Sequence, residues 1–302
     1  GQSGVGNLPR AMIPEPAAPL TTRDVNGQSI AYDAQGDGLP VLLLHGFPQT
    51  RAMWRRIAPV LAADFRVICA DLRGYGDSSK PEGVAQYTFR EMAADQVALM
   101  RELGHDTFHI VGHDRGARTA HRLALDCPDA VASLTLMDIV PTHLLVSELK
   151  PSVARAYYHW FFLSQPVPFP ETMIGHDPDA YFESCLLGWG AANLSDFAPD
   201  QLAAYRKSWR DPACIRAMCH DYRAAIDIDF GHFAFFRLVD IACRQRQRGK
   251  GNRASKDKFT HRSAPKDWKC MVGACANRRN NASTLTIRPL AAIRAAFRDK
   301  PS

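Results

Sequence analysis

Asp114 stands in the string Gly112-His113-Asp114-Arg115-Gly116, after the apolar run Phe108-His109-Ile110-Val111 and before a helical pattern from Ala117 to Asp126. A Gly-x-nucleophile-x-Gly turn between a strand and a helix lifts its central side chain out of the strand end. The usual central residue is Ser, and here it is Asp. A carboxylate that attacks an ester carbonyl gives a reactive anhydride. A carboxylate that attacks a saturated carbon bearing a leaving group gives a stable ester, which water then opens. The turn therefore points to carbon–halogen or epoxide substrates. A capping Asp would also fit these five residues. The strand–turn–helix context favours the nucleophile, because a helix N-terminus suits the charged carboxylate that the chemistry needs.

The neighbours of this turn define the chemistry further. Arg115 and Arg118 are three apart at the start of one helix and can face the same cleft. Two guanidiniums beside a nucleophile suit a substrate carboxylate. The plainer alternative makes Arg115 an ion-pair partner and Arg118 a solvated helix residue, and the residues alone leave the two readings open. His45-Gly46-Phe47-Pro48 follows a short apolar strand. Its loop is expected to supply one backbone N–H, from Phe47, to a substrate or intermediate oxygen, and Arg115 the other. Asp138 ends a strand and fits either an orienting carboxylate for a catalytic His or a strand-end cap. His159, Trp160 and Tyr222 carry ring N–H and hydroxyl donors that could stabilise a departing halide in the transition state. Aromatic packing explains the same residues.

Short apolar strands alternate with helices through the first half of the chain. Strands are predicted at Gln28–Ala34, Val41–Leu44, Arg66–Ala70, Phe108–Val111 and Ala132–Met137, with helices at Arg51–Ala63 and Phe89–Leu103. This alternation implies an α/β fold, a mostly parallel sheet covered by helices on both faces. His45, Asp71, Asp114 and Asp138 fall at strand C-termini, where such sheets bind ligands. From Pro141 to about Ile226 the apolar residues become aromatic and helical in spacing, which reads as an inserted cap. The organisation expected is a flexible tail over 1–22, the first part of the core over 23–140, a helical cap over 141–226, and the rest of the core over 227–302.

The chain has 302 residues and 46% hydrophobic content, enough for one large core. It lacks a signal-like apolar segment near its start and any run of about 18 apolar residues. Gly1 stands where Met is expected, as in a trimmed or fragmentary start. The eight cysteines are scattered, with no Cys-x-x-Cys pair, which favours reduced thiols over disulfides or a zinc site. These features suit a cytoplasmic enzyme that does not sit in a membrane. The net charge of +6 is local. Between Arg244 and Asn280 twelve Lys/Arg face two Asp, a balance of +10, so the remainder of the chain carries −4. That block has few aromatics, Phe259 and Trp268, and no nucleic-acid motif. It reads as a disordered or mistranslated segment, so no nucleic-acid partner is expected.

Several strings together resemble fluoroacetate (haloacetate) dehalogenases of the α/β-hydrolase superfamily. They are His45-Gly46-Phe47-Pro48-Gln49, Asp71-Leu72-Arg73-Gly74-Tyr75-Gly76, the Asp114 turn continued to Arg118, Met137-Asp138-Ile139-Val140-Pro141-Thr142, Tyr158-His159-Trp160, Gly188-Trp189-Gly190 and Cys219-His220-Asp221-Tyr222-Arg223-Ala224. The likeness runs from about Arg23 to Phe230. The first two strings are shared with epoxide hydrolases and haloalkane dehalogenases. The resemblance implies an α/β-hydrolase fold with a helical cap, no cofactor or metal, a small-molecule substrate and a homodimer. It implies that Asp114 displaces halide from the carbon next to a carboxylate, and that Arg115 and Arg118 hold that carboxylate. His159, Trp160 and Tyr222 would cradle the halide, and Asp138 would support a His that activates water.

The chain departs from the family pattern at its end. The family His belongs near the C-terminus in a Gly-His-Phe string, and no His follows His261. Gly231-His232-Phe233 has the right letters but comes only ten residues after Tyr222, before the missing strands. His261 sits in a basic, polar stretch. Neither His232 nor His261 suits the base. The tail from Gly231 reads as family sequence that has lost its frame, or as a divergent replacement, and as poorly ordered.

Overall fold

The computed structural model describes residues 20–139, 150–188 and 193–230. Six strands form one sheet: β1 (Thr21–Val25), β2 (Gln28–Gln35), β3 (Leu39–Leu44), β4 (Phe65–Ala70), β5 (Phe108–His113) and β6 (Val131–Met137). Their order is β1-β2-β4-β3-β5-β6. β1 and β2 pair antiparallel, as do β2 and β4, and the remaining neighbours are parallel. The expected strands are all present, each longer by one or two residues at an end.

Two features differ from the sequence expectation. β1 begins at Thr21, inside the segment read as a tail over 1–22. It is an edge strand with a largely exposed burial pattern, so it carries no apolar alternation. Its signal is the turn Asn26-Gly27, at φ 51° and 71°, a pair that favours tight hairpins. The helix expected over Arg51–Ala63 is broken into a 3₁₀ turn at Arg51–Trp54 and a short helix α1 (Ala58–Leu61). Pro59 has no N–H to give to the preceding turn, so the helix must restart there.

Helices α2 (Phe89–Glu102) and α3 (Arg115–Asp126) cover the sheet. The Thr88 hydroxyl caps α2 by accepting from the Glu91 N–H at 3.3 Å. Every described element after β6 is helical: α4 (Pro151–Ala156), α5 (Tyr158–Leu163), α6 (Phe169–His176), α7 (Pro178–Leu187), a 3₁₀ turn at Leu194–Asp196, α8 (Pro199–Trp209), α9 (Pro212–Ala224) and a π-helical turn at Ala225–Asp229. Four of them open on Pro at their first positions, where the missing N–H costs nothing, namely α4, α7, α8 and α9. None of the described helices is long and apolar enough to cross a membrane.

The main core joins both parts. Leu42, Leu44, Ile68, Phe108 and Ile110 of the sheet belong to one buried cluster with Trp160, Phe182, Trp209 and Tyr222 of the cap helices. Parallel register brings the ends of β3, β5 and β6 level, with Leu44 beside Gly112 and Gly112 beside Leu136. His45, Asp114 and Asp138 therefore emerge side by side. The readings made at Gly188-Trp189-Gly190 (for Trp189 and Gly190), at 140–149 and over 231–302, including His232 and His261, lie outside the described residues.

Candidate active site

Asp114 holds φ 46° and ψ −112°, outside the regions that L residues ordinarily occupy. Such a conformation persists only where the surroundings impose it. Here they are backbone. The Asp114 N–H donates to Met137 O at 3.1 Å, and the Gly116 N–H donates to His45 O at 2.9 Å. A Cβ on Gly116 would run into the carbonyls of His45 and Leu44, and one on Gly112 would sit 2.5 Å from Gly116 O. The two glycines of the motif are there for close backbone approach. Gly46 is crowded likewise, with its Cβ position 2.8 Å from the Asp114 Cβ.

The loop after β3 reaches the nucleophile candidate directly. The Phe47 N–H donates to Asp114 Oδ2 at 3.0 Å. The amide expected for a substrate or intermediate oxygen thus already holds one carboxylate oxygen. Arg115 opens α3, so its amide is among the helix N–H groups with no intrahelical acceptor. His45 fixes this loop, a role that the sequence did not suggest. Its Nε2 accepts from the Leu72 N–H at 3.1 Å, which leaves Nδ1 as the donor to Gly46 O at 2.9 Å. Complete burial keeps its pKa low, in line with that neutral tautomer.

Arg115 and Arg118 are both buried, yet they differ. Arg115 is the ion-pair partner that the plainer reading allowed. Its Nε donates to Asp221 Oδ2 at 2.9 Å, and its Nη2 donates to Asp221 Oδ1 and, at 2.9 Å, to Asp221 O. Burial alone would lower its pKa, but Asp221 outweighs burial and raises it. Its guanidinium lies 4.6 Å from the Phe89 ring centre and 4.4 Å from that of Tyr222. Arg115 Nη1 is buried with no hydrogen-bond partner among the described residues. Arg118 lies over Trp160, 4.7 Å from the ring centre. Burial lowers its pKa to about 10, against the pull of Asp114. It remains a cation at neutral pH and is no solvated helix residue.

The cap closes over these groups. His159 stacks on Phe47 with centroids 5.8 Å apart and meets Tyr222 edge-on at 5.5 Å. Tyr222 also meets Trp160 at 5.3 Å. Burial lowers His159 to about 4, Asp114 opposing, so its ring is neutral at pH 7. Burial, with Asp114 beside it, holds the Tyr222 hydroxyl well above its ordinary range. That hydroxyl has no hydrogen-bond partner among the described residues. The three cap residues expected to act together are thus brought together, as neutral donors.

Asp138 is placed differently. Its side chain is 84% exposed and its backbone has φ 55°. Its described neighbour is His113, whose Nε2 lies 3.7 Å from Asp138 Oδ2, and this pairing lowers the Asp138 pKa. His113 precedes the nucleophile candidate in sequence, a signal that the sequence reading left unused. A cleft of about 590 Å³ lies elsewhere and contains none of these groups. It is a seam between core and cap whose charges satisfy one another, as in Arg55–Asp200 at 2.8 Å and Lys207–Asp77 at 2.7 Å.

A carboxylate on a strained strand-to-helix turn, in a mixed sheet under a helical cap, defines a class, and comparison with known proteins agrees. The chain belongs to the alpha/beta hydrolase fold family, whose model matches residues 40–238. It is 57% identical over 210 residues to the fluoroacetate dehalogenase of Burkholderia sp, a match covering 68% of this chain and 69% of that one. It is 33% identical to the soluble epoxide hydrolase of Corynebacterium sp. (strain C12), over 70% of this chain and 73% of that one. Among solved structures, a protein of Nostoc sp PCC 7120 provisionally assigned as an alpha/beta hydrolase superposes with a TM-score of 0.69 at 50% identity, covering 70% of this chain and 74% of that one.

Proposed function

We propose that the protein removes halide from a haloacetate, with Asp114 as the nucleophile. The observation that carries this reading is the pair of buried guanidiniums, Arg115 and Arg118, opening the helix directly behind Asp114. A small acid with a leaving group on its α-carbon needs such a partner for its carboxylate, and an epoxide does not. The 57% identity to a fluoroacetate dehalogenase supports the same reading.

The Phe47 amide engages Asp114 Oδ2, so Oδ1 is the oxygen left to attack. The new bond joins Oδ1 to the α-carbon, and the carbon–halogen bond breaks with its electron pair leaving on the halide. Neutral donors from His159, Trp160 and Tyr222 receive that charge as it develops. Oδ2 becomes the ester carbonyl oxygen, already beside the Phe47 amide. Water must then attack the ester carbon to release glycolate. Asp138 would orient the base for that step, and its described partner is His113. Asp138 is largely exposed, whereas the Asp114 carboxylate is held by the Phe47 amide, so we infer that ester formation outpaces ester release.

Chloroacetate, fluoroacetate and styrene oxide offered to the same preparation test both parts. The expected result is halide from the haloacids in a burst of about one equivalent per chain, then slow release, and little diol from styrene oxide. Diol formation faster than halide release overturns the substrate assignment in favour of an epoxide hydrolase. Steady halide release without a burst overturns the proposed arrest at the ester.

A further inference from the structure

Asp221 is fully buried on α9 and absorbs one whole edge of Arg115. It has a second partner, the Tyr75 hydroxyl, which donates to Asp221 Oδ2 at 2.6 Å. Tyr75 comes from the loop after β4 and Arg115 from α3, so two core elements grip this cap carboxylate. The result is a guanidinium fixed between two aromatic rings, with Nη1 as its remaining group. Asp114, Arg115, Arg118 and Asp221 together are formally neutral, and His159 and Tyr222 add no charge at neutral pH. Asp229, whose carboxylate accepts from the Phe89 N–H at 3.0 Å, lies beyond Phe89.

We propose that Asp221 is a positioning and specificity residue: it aims Arg115 Nη1 at the substrate carboxylate and, by cancelling that arginine's charge, restricts the pocket to singly charged acids. The inference rests on the haloacid reading above. Arg118 then meets a monoanion as a cation whose charge Asp114 balances, so the occupied pocket carries a single negative charge. A dianion leaves one negative charge more, among buried groups where charges are weakly screened. Replacing Asp221 by Asn keeps an oxygen for Arg115 and the Asp221 main-chain acceptor, and adds one positive charge to the pocket. A dianion in that variant meets the charge balance that a monoanion meets in the native protein.

Calorimetric titration of the full chain with glycolate and with oxalate, acids of similar size and different charge, tests this. In Asp221→Asn the oxalate-to-glycolate affinity ratio is expected to rise at least about tenfold. In Tyr75→Phe, which leaves the charge in place, the ratio should stay constant while alkylation by chloroacetate slows several-fold. An unchanged ratio in a folded Asp221→Asn protein, judged by circular dichroism, overturns the proposal. If that variant does not fold, Tyr75→Phe decides, and an alkylation rate equal to the native one overturns the positioning role. If the native chain binds neither acid, the haloacid reading itself fails, whatever the variants do.

Discussion

The core and the cap build their halves of the site in different ways. On the core side, backbone does the positioning: positive φ at Asp114, carbonyls packed against Gly112 and Gly116, and an amide on the carboxylate. On the cap side, side chains from α5 and α9 converge from short helices, and their aromatic faces and buried hydrogen bonds set the geometry. The core half is expected to tolerate almost no change of shape at Gly112 and Gly116. The cap half is expected to tolerate changes of shape better than changes of charge. Substrate choice is therefore expected to reside in the cap and its contacts with Arg115, and bond-making in the core.

The sharpest way to break this division is to remove the attacking group. Asp114→Asn should abolish haloacid alkylation, by at least about 10⁴-fold in the halide burst, with the fold kept. A burst of native size in that variant would place the chemistry elsewhere. Next in size is Gly116→Ala, which must push against the His45 and Leu44 carbonyls. It should lower unfolding stability by about 3 kcal/mol in denaturant titration. Gly175→Ala in cap helix α6 meets nothing within 4 Å and should cost nothing or stabilise by about 0.5 kcal/mol. Equal losses at the two glycines would erase the contrast.

The pH response sharpens it further. His159 ionises near 4 in the folded protein, below its ordinary value of 6.5. The unfolded chain then binds more protons between those values, so stability should fall as pH drops from 6.5 towards 4. For His159 the loss is up to about 3 kcal/mol, and His159→Gln should flatten that slope. At the other end, Arg118 loses its charge as pH rises through about 10. KM for chloroacetate should climb there, with kcat less affected. The smallest effect is expected at the seam: Arg55→Ala breaks an exposed pair with Asp200 and should change stability by less than about 1 kcal/mol.

The same contrast explains what the sequence made legible. The Asp114 turn, the strands into it and the alternating core could be read from spacing, because glycine at a crowded turn and apolar runs in a parallel sheet are local requirements. Edge strand β1 escaped because exposure removes its alternation, although Asn26-Gly27 announced the hairpin. The Arg51–Ala63 helix was misjudged because its apolar period continues across Pro59. The cap residues had no local signature beyond their resemblance to a family, since His159 and Tyr222 are 63 residues apart and meet only in three dimensions. Arg115 was left open between carboxylate grip and ion pair. The structure shows the ion pair, with Asp221 from a distant helix, and leaves Nη1 for the other.

The claim that Asp114 attacks the halogenated carbon is tested most directly by treating the protein with chloroacetate in ¹⁸O-labelled water and sequencing its peptides by mass spectrometry. A carboxymethyl ester on Asp114, or ¹⁸O in the Asp114 carboxylate where the ester has been released, is the result expected. Sustained chloride release with neither mark on Asp114 would contradict it.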